Sequence, residues 1–224
     1  MTRTIAIDGP SGAGKSTIGH ALAGRIDATF VDTGLMYRAL TLAARDRGID
    51  IDDGSALGAL AGSIQIEVER PRPEQIDRLE TVRLDGRDVT REVRTPPIDR
   101  AVSAVSRHPE VRAAMLGVQR AAAARGDTVM VGRDIGTVVL PDATLKVYLS
   151  ARPEVRAARR AEEMGRPDRY GDYLAEIQRR DAADSGRDVA PLRQADDAFV
   201  VDTGELNVDE AVEAIRNELE RIGE

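Results

Sequence analysis

The chain is predicted to be an α/β protein, a five-stranded parallel sheet flanked by helices. Five short apolar runs, Thr4–Asp8, Ala28–Val31, Thr128–Val131, Leu145–Leu149 and Ala198–Val201, read as buried strands. Helical patterns separate most of them, the alternation expected of a sheet with helices on both faces. Polar residues follow the strands, as Asp8-Gly9, Asp32-Thr33 and Gly132-Arg133-Asp134. Each group falls at the carboxyl edge of such a sheet, where ligands collect.

The first strand, with Ile5-Ala6-Ile7 at its centre, runs into Gly9-Pro10-Ser11-Gly12-Ala13-Gly14-Lys15-Ser16-Thr17, and a helix-like run from Ser16 to Arg25 follows. This is the pattern G-x-x-x-x-G-K-[ST] between a strand and a helix. Glycines let the backbone curl so that successive N–H groups point at phosphate oxygens, and the new helix adds its positive end. Lys15, expected in a solvated loop, reaches the β- and γ-phosphates, and the Ser16 hydroxyl holds Mg²⁺. The pattern therefore predicts a nucleoside triphosphate site. Asp8, beside this loop, is expected to act indirectly on Mg²⁺ or on Lys15, and otherwise simply ends a strand.

The long interval after the second strand has its own character. Ser63–Glu69 alternates, with Ile64, Ile66 and Val68 on one face, which predicts a half-buried strand. Leu79–Leu84 follows, then Asp85-Gly86, a hairpin signal. Residues 62–95 thus form a small antiparallel β insert in a single domain, residues 1–224, whose core is 1–61 and 96–224. Two helices are expected next, Ile98–Arg107 and Pro109–Arg125.

Between Arg152 and Arg187 the chain is dense in charge. Arg152, Arg156, Arg159 and Arg160 share a helical face, a turn spans Met164–Asp168, and a second helix carries Arg180, Asp184 and Arg187 at i, i+4, i+7. Two solvated helices laced with ion pairs would look the same. Beside a phosphate loop, the segment at about 152–168 reads instead as a mobile lid that brings cations over a transferring phosphate.

Composition narrows the function. The 224 residues are 42% hydrophobic and 32% charged, enough for one substantial core. Cysteine is absent, so disulfides and thiolate metal sites are excluded. A net charge of −7 and a pI near 5.1 argue against nucleic-acid binding. No apolar run reaches membrane-spanning length and the chain enters a strand directly, so a cytoplasmic protein is expected, with no membrane partner. Lys15 and Lys146 are the only lysines among 32 basic residues, and one of them stands where the loop needs lysine.

The motifs together resemble the bacterial cytidylate kinases, nucleoside monophosphate kinases of the P-loop class. The resemblance rests on the phosphate loop, Asp32-Thr33-Gly34-Leu35-Met36-Tyr37-Arg38, Gly132-Arg133-Asp134-Ile135-Gly136-Thr137, and Arg180-Asp181 with Asp184 and Arg187. The β insert is also in its place. Two positions depart from the common form: Lys-Ser-Thr ends the loop where Lys-Gly-Thr is frequent, and Thr33 stands where Ser is common. Both keep or add a hydroxyl.

The resemblance implies transfer of the γ-phosphoryl of Mg²⁺-ATP to CMP or dCMP by a monomer. It implies that Gly9 to Thr17 and Arg159 bind ATP, and that Lys15, Arg133, Arg156 and Arg187 are catalytic, with Arg160 near the donor phosphates. Arg38, Arg133 and Arg187 would hold the acceptor phosphate, planar forks suited to it. Arg180 and Asp184 would sit at the sugar. Ser103, Arg112 and Asp134 would read the cytosine edge, and Thr33 would touch the acceptor or cap its helix. A GTPase would need Asn-Lys-x-Asp, which the sequence lacks. A P-loop kinase of another small acceptor, UMP, shikimate or dephospho-coenzyme A, is the serious alternative.

Overall fold

In the computed structural model, residues 2–75, 78–187 and 189–223 are described; Ile76 and Asp77, inside the expected insert, lie outside them. Five strands, β1 (Thr4–Asp8), β2 (Thr29–Asp32), β6 (Thr128–Gly132), β7 (Leu145–Ser150) and β8 (Phe199–Asp202), form a parallel sheet in the order β2-β6-β1-β7-β8. All five expected strands are present, each within a residue of its expected ends. By internal packing the chain divides into two compact units, residues 1–28 with 127–224, and residues 29–126.

In the first unit β1 is central. It pairs in parallel with β6, Ile5 against Val129 and Ile7 against Val131, and with β7, Ile5 against Leu145 and Ile7 against Val147. Every residue of β6 is buried, as a strand covered on both faces requires. β7 alternates buried and half-buried residues, and at β8 only Val201 is buried. Helix α1 (Lys15–Arg25) turns Ile18, Leu22 and Ala23 inward. The C-terminal α8 (Val208–Gly223) buries Ala211, Val212, Ile215 and Leu219 at i, i+1, i+4 and i+8 and packs on α1. After β7 the chain forms α6 (Pro153–Glu163) and α7 (Tyr170–Ser185), which pack on each other.

Two differences from expectation appear in this unit. A single π-type turn, Ile135–Val139, follows β6, stabilised by amides of Val138 and Val139 donating to the Asp134 carbonyl. Helix α7 ends at Ser185 with Gly186 as its cap, so Arg187 lies beyond the helix that was expected to carry it.

The second unit holds α2 (Thr33–Asp46), α3 (Gly54–Ser63), α4 (Pro96–Val105) and α5 (Pro109–Ala123), with the small sheet β3 (Ile66–Glu69), β4 (Thr81–Leu84), β5 (Arg87–Asp88). Its core is formed by Leu35, Leu40, Leu57, Ile98, Val105 and Met115. Proline opens both α4 and α5, where its fixed φ suits the first helical turn. The antiparallel insert is present. Asp85 (φ 50°) and Gly86 (φ 79°) make the two-residue turn joining Leu84 to Arg87, as their chemistry predicts.

Helix α3 was not expected, because three glycines argue against a helix. Two of them are needed for packing: a Cβ at Gly58 would stand 2.7 Å from Cβ of Glu110 on α5, and one at Gly54 2.8 Å from the His108 ring. Because α3 runs to Ser63, β3 starts at Ile66 rather than Ser63; Ile64 and Ile66 are buried and Gln65 exposed, as the alternation requires.

Candidate active site

Within the first unit, the loop from Gly9 to Gly14 joins β1 to α1. Gly9 has φ 154°, and a Cβ there would lie 2.3 Å from the Leu149 carbonyl oxygen at the end of β7, so no side chain fits. Gly14, at φ 84°, is the N-cap of α1 and supplies no side-chain cap, which leaves the helix start to backbone chemistry. Two side chains brace the loop from outside: Arg156 Nη1 donates to the Ser11 carbonyl at 2.9 Å, and Thr203 Oγ1 donates to the Ala13 carbonyl at 3.1 Å.

Lys15 is not solvated. It is 9% exposed, and its ammonium donates to the Gly9 and Pro10 carbonyls at 2.8 and 2.7 Å. The loop curls over the first residue of the helix it opens, so the ammonium sits inside the curl. Ser16 follows on α1, half-buried.

The arginines of α6 share one helical face by their spacing, but their guanidinium groups go to different partners. Arg156 is buried; Nε donates to the Ala151 carbonyl at 2.9 Å, and Nη1 and Nη2 grip both carboxylate oxygens of Asp181 at 3.1 and 2.6 Å. Arg159 donates to the backbone carbonyl and hydroxyl of Thr203. Arg160 pairs with exposed Glu163, and Arg152 is an exposed N-cap. Asp181 stands in the Arg180-Asp181 motif without an expected role, and Thr203 is not among the expected site residues. Thr203 follows a strand, as the other edge residues do, and that was its only signal.

A second cluster surrounds Asp184, which is 2% exposed on α7. Arg133 Nε donates to one of its oxygens at 2.8 Å and Arg187 Nη2 to the other at 2.5 Å. Burial alone would raise its pKa. The charges of Arg133, Arg187 and Arg180 outweigh burial and hold it below the ordinary aspartate value. Arg180 lies one helical turn before Asp184. The unit therefore gathers Arg133, Arg180, Asp184 and Arg187 at one place, and Asp134, buried, at the end of β6.

Asp8 accepts 2.8 Å hydrogen bonds from the Ile135 and Gly136 amides, one to each oxygen. Burial raises its pKa to about 6 against the lowering by those two amides; Asp134 adds to the rise and Lys15 opposes it. Tyr148, on β7, is also raised, first by burial and then by Asp181 and Asp8.

In the second unit the β2–α2 junction carries the next expected residues. Asp32, not Thr33, caps α2, accepting from the Gly34 amide at 2.9 Å; Thr33 is the buried first residue of the helix. Arg38 donates to the Val93 carbonyl at 3.1 Å and pairs with Asp99 of α4 at 2.5 Å. Arg112, buried on α5, lies over the Tyr37 ring 5.7 Å from its centroid, and its Nη1 donates to the Ser106 carbonyl. Ser103 is half-buried on α4. Glu80, also overlooked in the sequence, is buried with Arg94 at 2.9 Å; burial and then the Asp32 charge raise its pKa to about 7.

Among the described residues no group of three or more Asp, Glu, His or Cys could hold a metal ion. The donor set instead fits an ion carried by the nucleotide: one hydroxyl, Ser16, at the start of α1, the mode in which Mg²⁺ takes few protein ligands and several phosphate oxygens.

The family model for cytidylate kinase matches residues 5–221. The chain belongs to the cytidylate kinase family. Its relatives include a cytidylate kinase of Exiguobacterium sibiricum, 48% identical over 211 residues, covering 93% of this chain and 92% of the relative. A cytidylate kinase of Rhodococcus jostii is 46% identical over 213 residues, covering 93% and 90%. Among solved structures, an uncharacterised protein of Eubacterium ventriosum superposes with a TM-score of 0.55 at 13% identity, covering 97% of this chain and 98% of that one, a likeness of fold alone. Family membership and fold agree with the resemblance drawn from the motifs. No described helix is long and apolar enough to cross a membrane.

Proposed function

We propose that the protein transfers the γ-phosphoryl of ATP to the phosphate of CMP or dCMP, giving ADP and CDP or dCDP. The observation that carries this reading is the pairing, in one unit, of a Gly9–Ser16 phosphate loop with the arginine cluster around Asp184, in a chain that matches the cytidylate kinase family over residues 5–221. In this reading Gly9 to Thr17 hold the donor phosphates, with Lys15 on the β- and γ-phosphates and Arg159 beside them. Arg38, Arg133 and Arg187 hold the acceptor phosphate. Arg180 and Asp184 meet its sugar, and Thr33, Ser103, Arg112 and Asp134 its base side.

The acceptor phosphate is already an anion at neutral pH, so no strong general base is required. Catalysis is positioning plus stabilisation of charge spreading over the transferring group. When bound, Mg²⁺ neutralises part of that charge, with Ser16 as its protein ligand. Arg133, Arg156, Arg187 and Lys15 supply fixed positive charge. Residues 152–168 act as the lid that excludes water, and residues 62–95 as the insert on the acceptor side. We place the reaction in the cytoplasm on a monomer, consistent with the acidic, cysteine-free composition.

A coupled ADP-release assay with CMP, dCMP, UMP, AMP, dTMP, shikimate and dephospho-coenzyme A in parallel tests this. CMP and dCMP should give the highest kcat/KM. Turnover with shikimate or dephospho-coenzyme A above that with CMP would replace this reading by that of another small-acceptor kinase.

A further inference from the structure

Asp8 ends β1, the strand that delivers the phosphate loop, yet its carboxylate is turned toward a different segment. Each oxygen accepts one backbone N–H, from Ile135 and from Gly136, both at 2.8 Å. These amides open the π-type turn that directly follows Arg133 and Asp134. The carboxylate is 4% exposed, so its contacts are not exchanged with bulk water. On its other side the turn meets β7: a Cβ added at Gly136 would come within 3.2 Å of Lys146 Cγ and Cδ. The turn is therefore held between an ionisable carboxylate and an aliphatic stem, and the Asp134 carbonyl closes it by accepting from Val138 and Val139. Hydrogen bonds to a buried charged acceptor are stronger and better directed than neutral ones.

We propose that Asp8 is a positioning residue for the acceptor site: it fixes the backbone that carries Arg133 and Asp134 in register with the loop starting at Gly9. One side chain thereby sets the spacing between the donor and acceptor sides. Asp8 touches neither nucleotide and acts through the Ile135 and Gly136 amides. The inference rests on the reading above that Arg133 and Asp134 meet the acceptor. It differs from an indirect role on Mg²⁺, which would place the effect of Asp8 on the donor side.

The test compares Asp8→Asn, Gly136→Ala and Arg133→Ala in the full chain. In Asp8→Asn one amide of the pair faces an NH₂ group instead of an oxygen. Its proton resonance should move upfield and exchange faster, a readout that needs no turnover. KM for CMP should rise about tenfold or more, the order of one charge-assisted hydrogen bond, while KM for ATP and the half-saturating Mg²⁺ stay within about twofold. Gly136→Ala crowds the turn from the Lys146 side without touching the carboxylate, and should give the same acceptor-side pattern with a smaller rise; it carries the test if Asp8→Asn does not fold. Equal losses for ATP and CMP, a shifted Mg²⁺ requirement, or unmoved amides would overturn the proposal. Arg133→Ala separates the two levels. If it raises KM for CMP and the other two variants do not, the positioning role alone fails. If it leaves KM for CMP unchanged, the acceptor reading fails and the proposal falls with it.

Discussion

Replacing Asp184 by Asn removes the one negative charge among three arginines. The carboxylate is 2% exposed and accepts from Arg133 at 2.8 Å and from Arg187 at 2.5 Å, with Arg180 near enough to lower its pKa. Asn has a single acceptor oxygen and no charge, so one guanidinium loses its partner and the cations face one another unscreened. Removing one partner of a buried ion pair costs about 3–5 kcal/mol. The Arg133 side chain keeps 18% exposure and Arg187 9%, so water recovers part of the loss. We therefore expect the low end, about 3 kcal/mol, or a Tm lower by about 6–12 °C for a chain of this size.

The pH dependence of that gap has a fixed sign. The folded-state pKa of Asp184 lies below its ordinary value, so its contribution is full above the unfolded-state pKa of about 3.9 and disappears as pH falls through the lower folded value. Thermal or urea unfolding should show a constant gap between wild type and variant from neutral pH down to mild acid, shrinking only in strong acid. In the steady-state assay, kcat/KM for CMP and for dCMP should fall by different factors, since only CMP offers a 2′-hydroxyl. A loss under about 1 kcal/mol would mean that the cluster behaves like an exposed ion pair and not like a buried one. Equal losses for both acceptors would remove Asp184 from the sugar.

Lys15→Ala should lower turnover by about 10²–10³, the cost of one preorganised donor, with an unchanged far-ultraviolet circular dichroism spectrum; undiminished turnover would contradict the phosphate-loop assignment. Glu80, raised to about 7 by burial and then by Asp32, binds its proton more tightly folded than unfolded, so its contribution is full below about pH 4.5 and is lost as pH rises toward 7. Glu80→Gln should thus gain on wild type between pH 5 and pH 8 by up to about 3 kcal/mol in urea unfolding, and parallel pH profiles would speak against it. Amide exchange across residues 152–168 should slow when a bisubstrate analogue binds; equal exchange with and without it would make the segment an ordinary charged hairpin.

The parts of the fold legible in the sequence were those with strong local chemistry. Apolar runs mark the strands, Pro109 marks a helix start and Asp85-Gly86 marks its turn, because each rests on strong local chemistry; α4 starts at Pro96, two residues before its expected start at Ile98. Helix α3 was hidden because Gly54 and Gly58 oppose a helix locally and serve close packing against His108 and Glu110, which follow more than fifty residues later in the chain. The site shows the same division. The phosphate loop is contiguous and was read whole. The partners that hold it come from distant segments: Asp181 stands in the Arg180-Asp181 motif, but nothing local pairs it with Arg156, and Thr203, which donates to the Ala13 carbonyl, belongs to no motif. The spacing of the α6 arginines gives their shared helical face but not their partners: Arg156 pairs with Asp181, Arg159 with Thr203 and Arg160 with Glu163.

Selection of cytosine in the phosphoryl transfer is best measured at Asp134, buried just past the end of β6. An ionised carboxylate only accepts hydrogen bonds, so it suits the 4-amino group of cytosine and opposes the O4 of uracil. The measurement is the ratio of kcat/KM for CMP to that for UMP in wild type and in Asp134→Asn, whose amide can donate to O4. The ratio should fall by at least about tenfold, the order of one hydrogen bond; an unchanged ratio would mean that cytosine is recognised elsewhere than at Asp134.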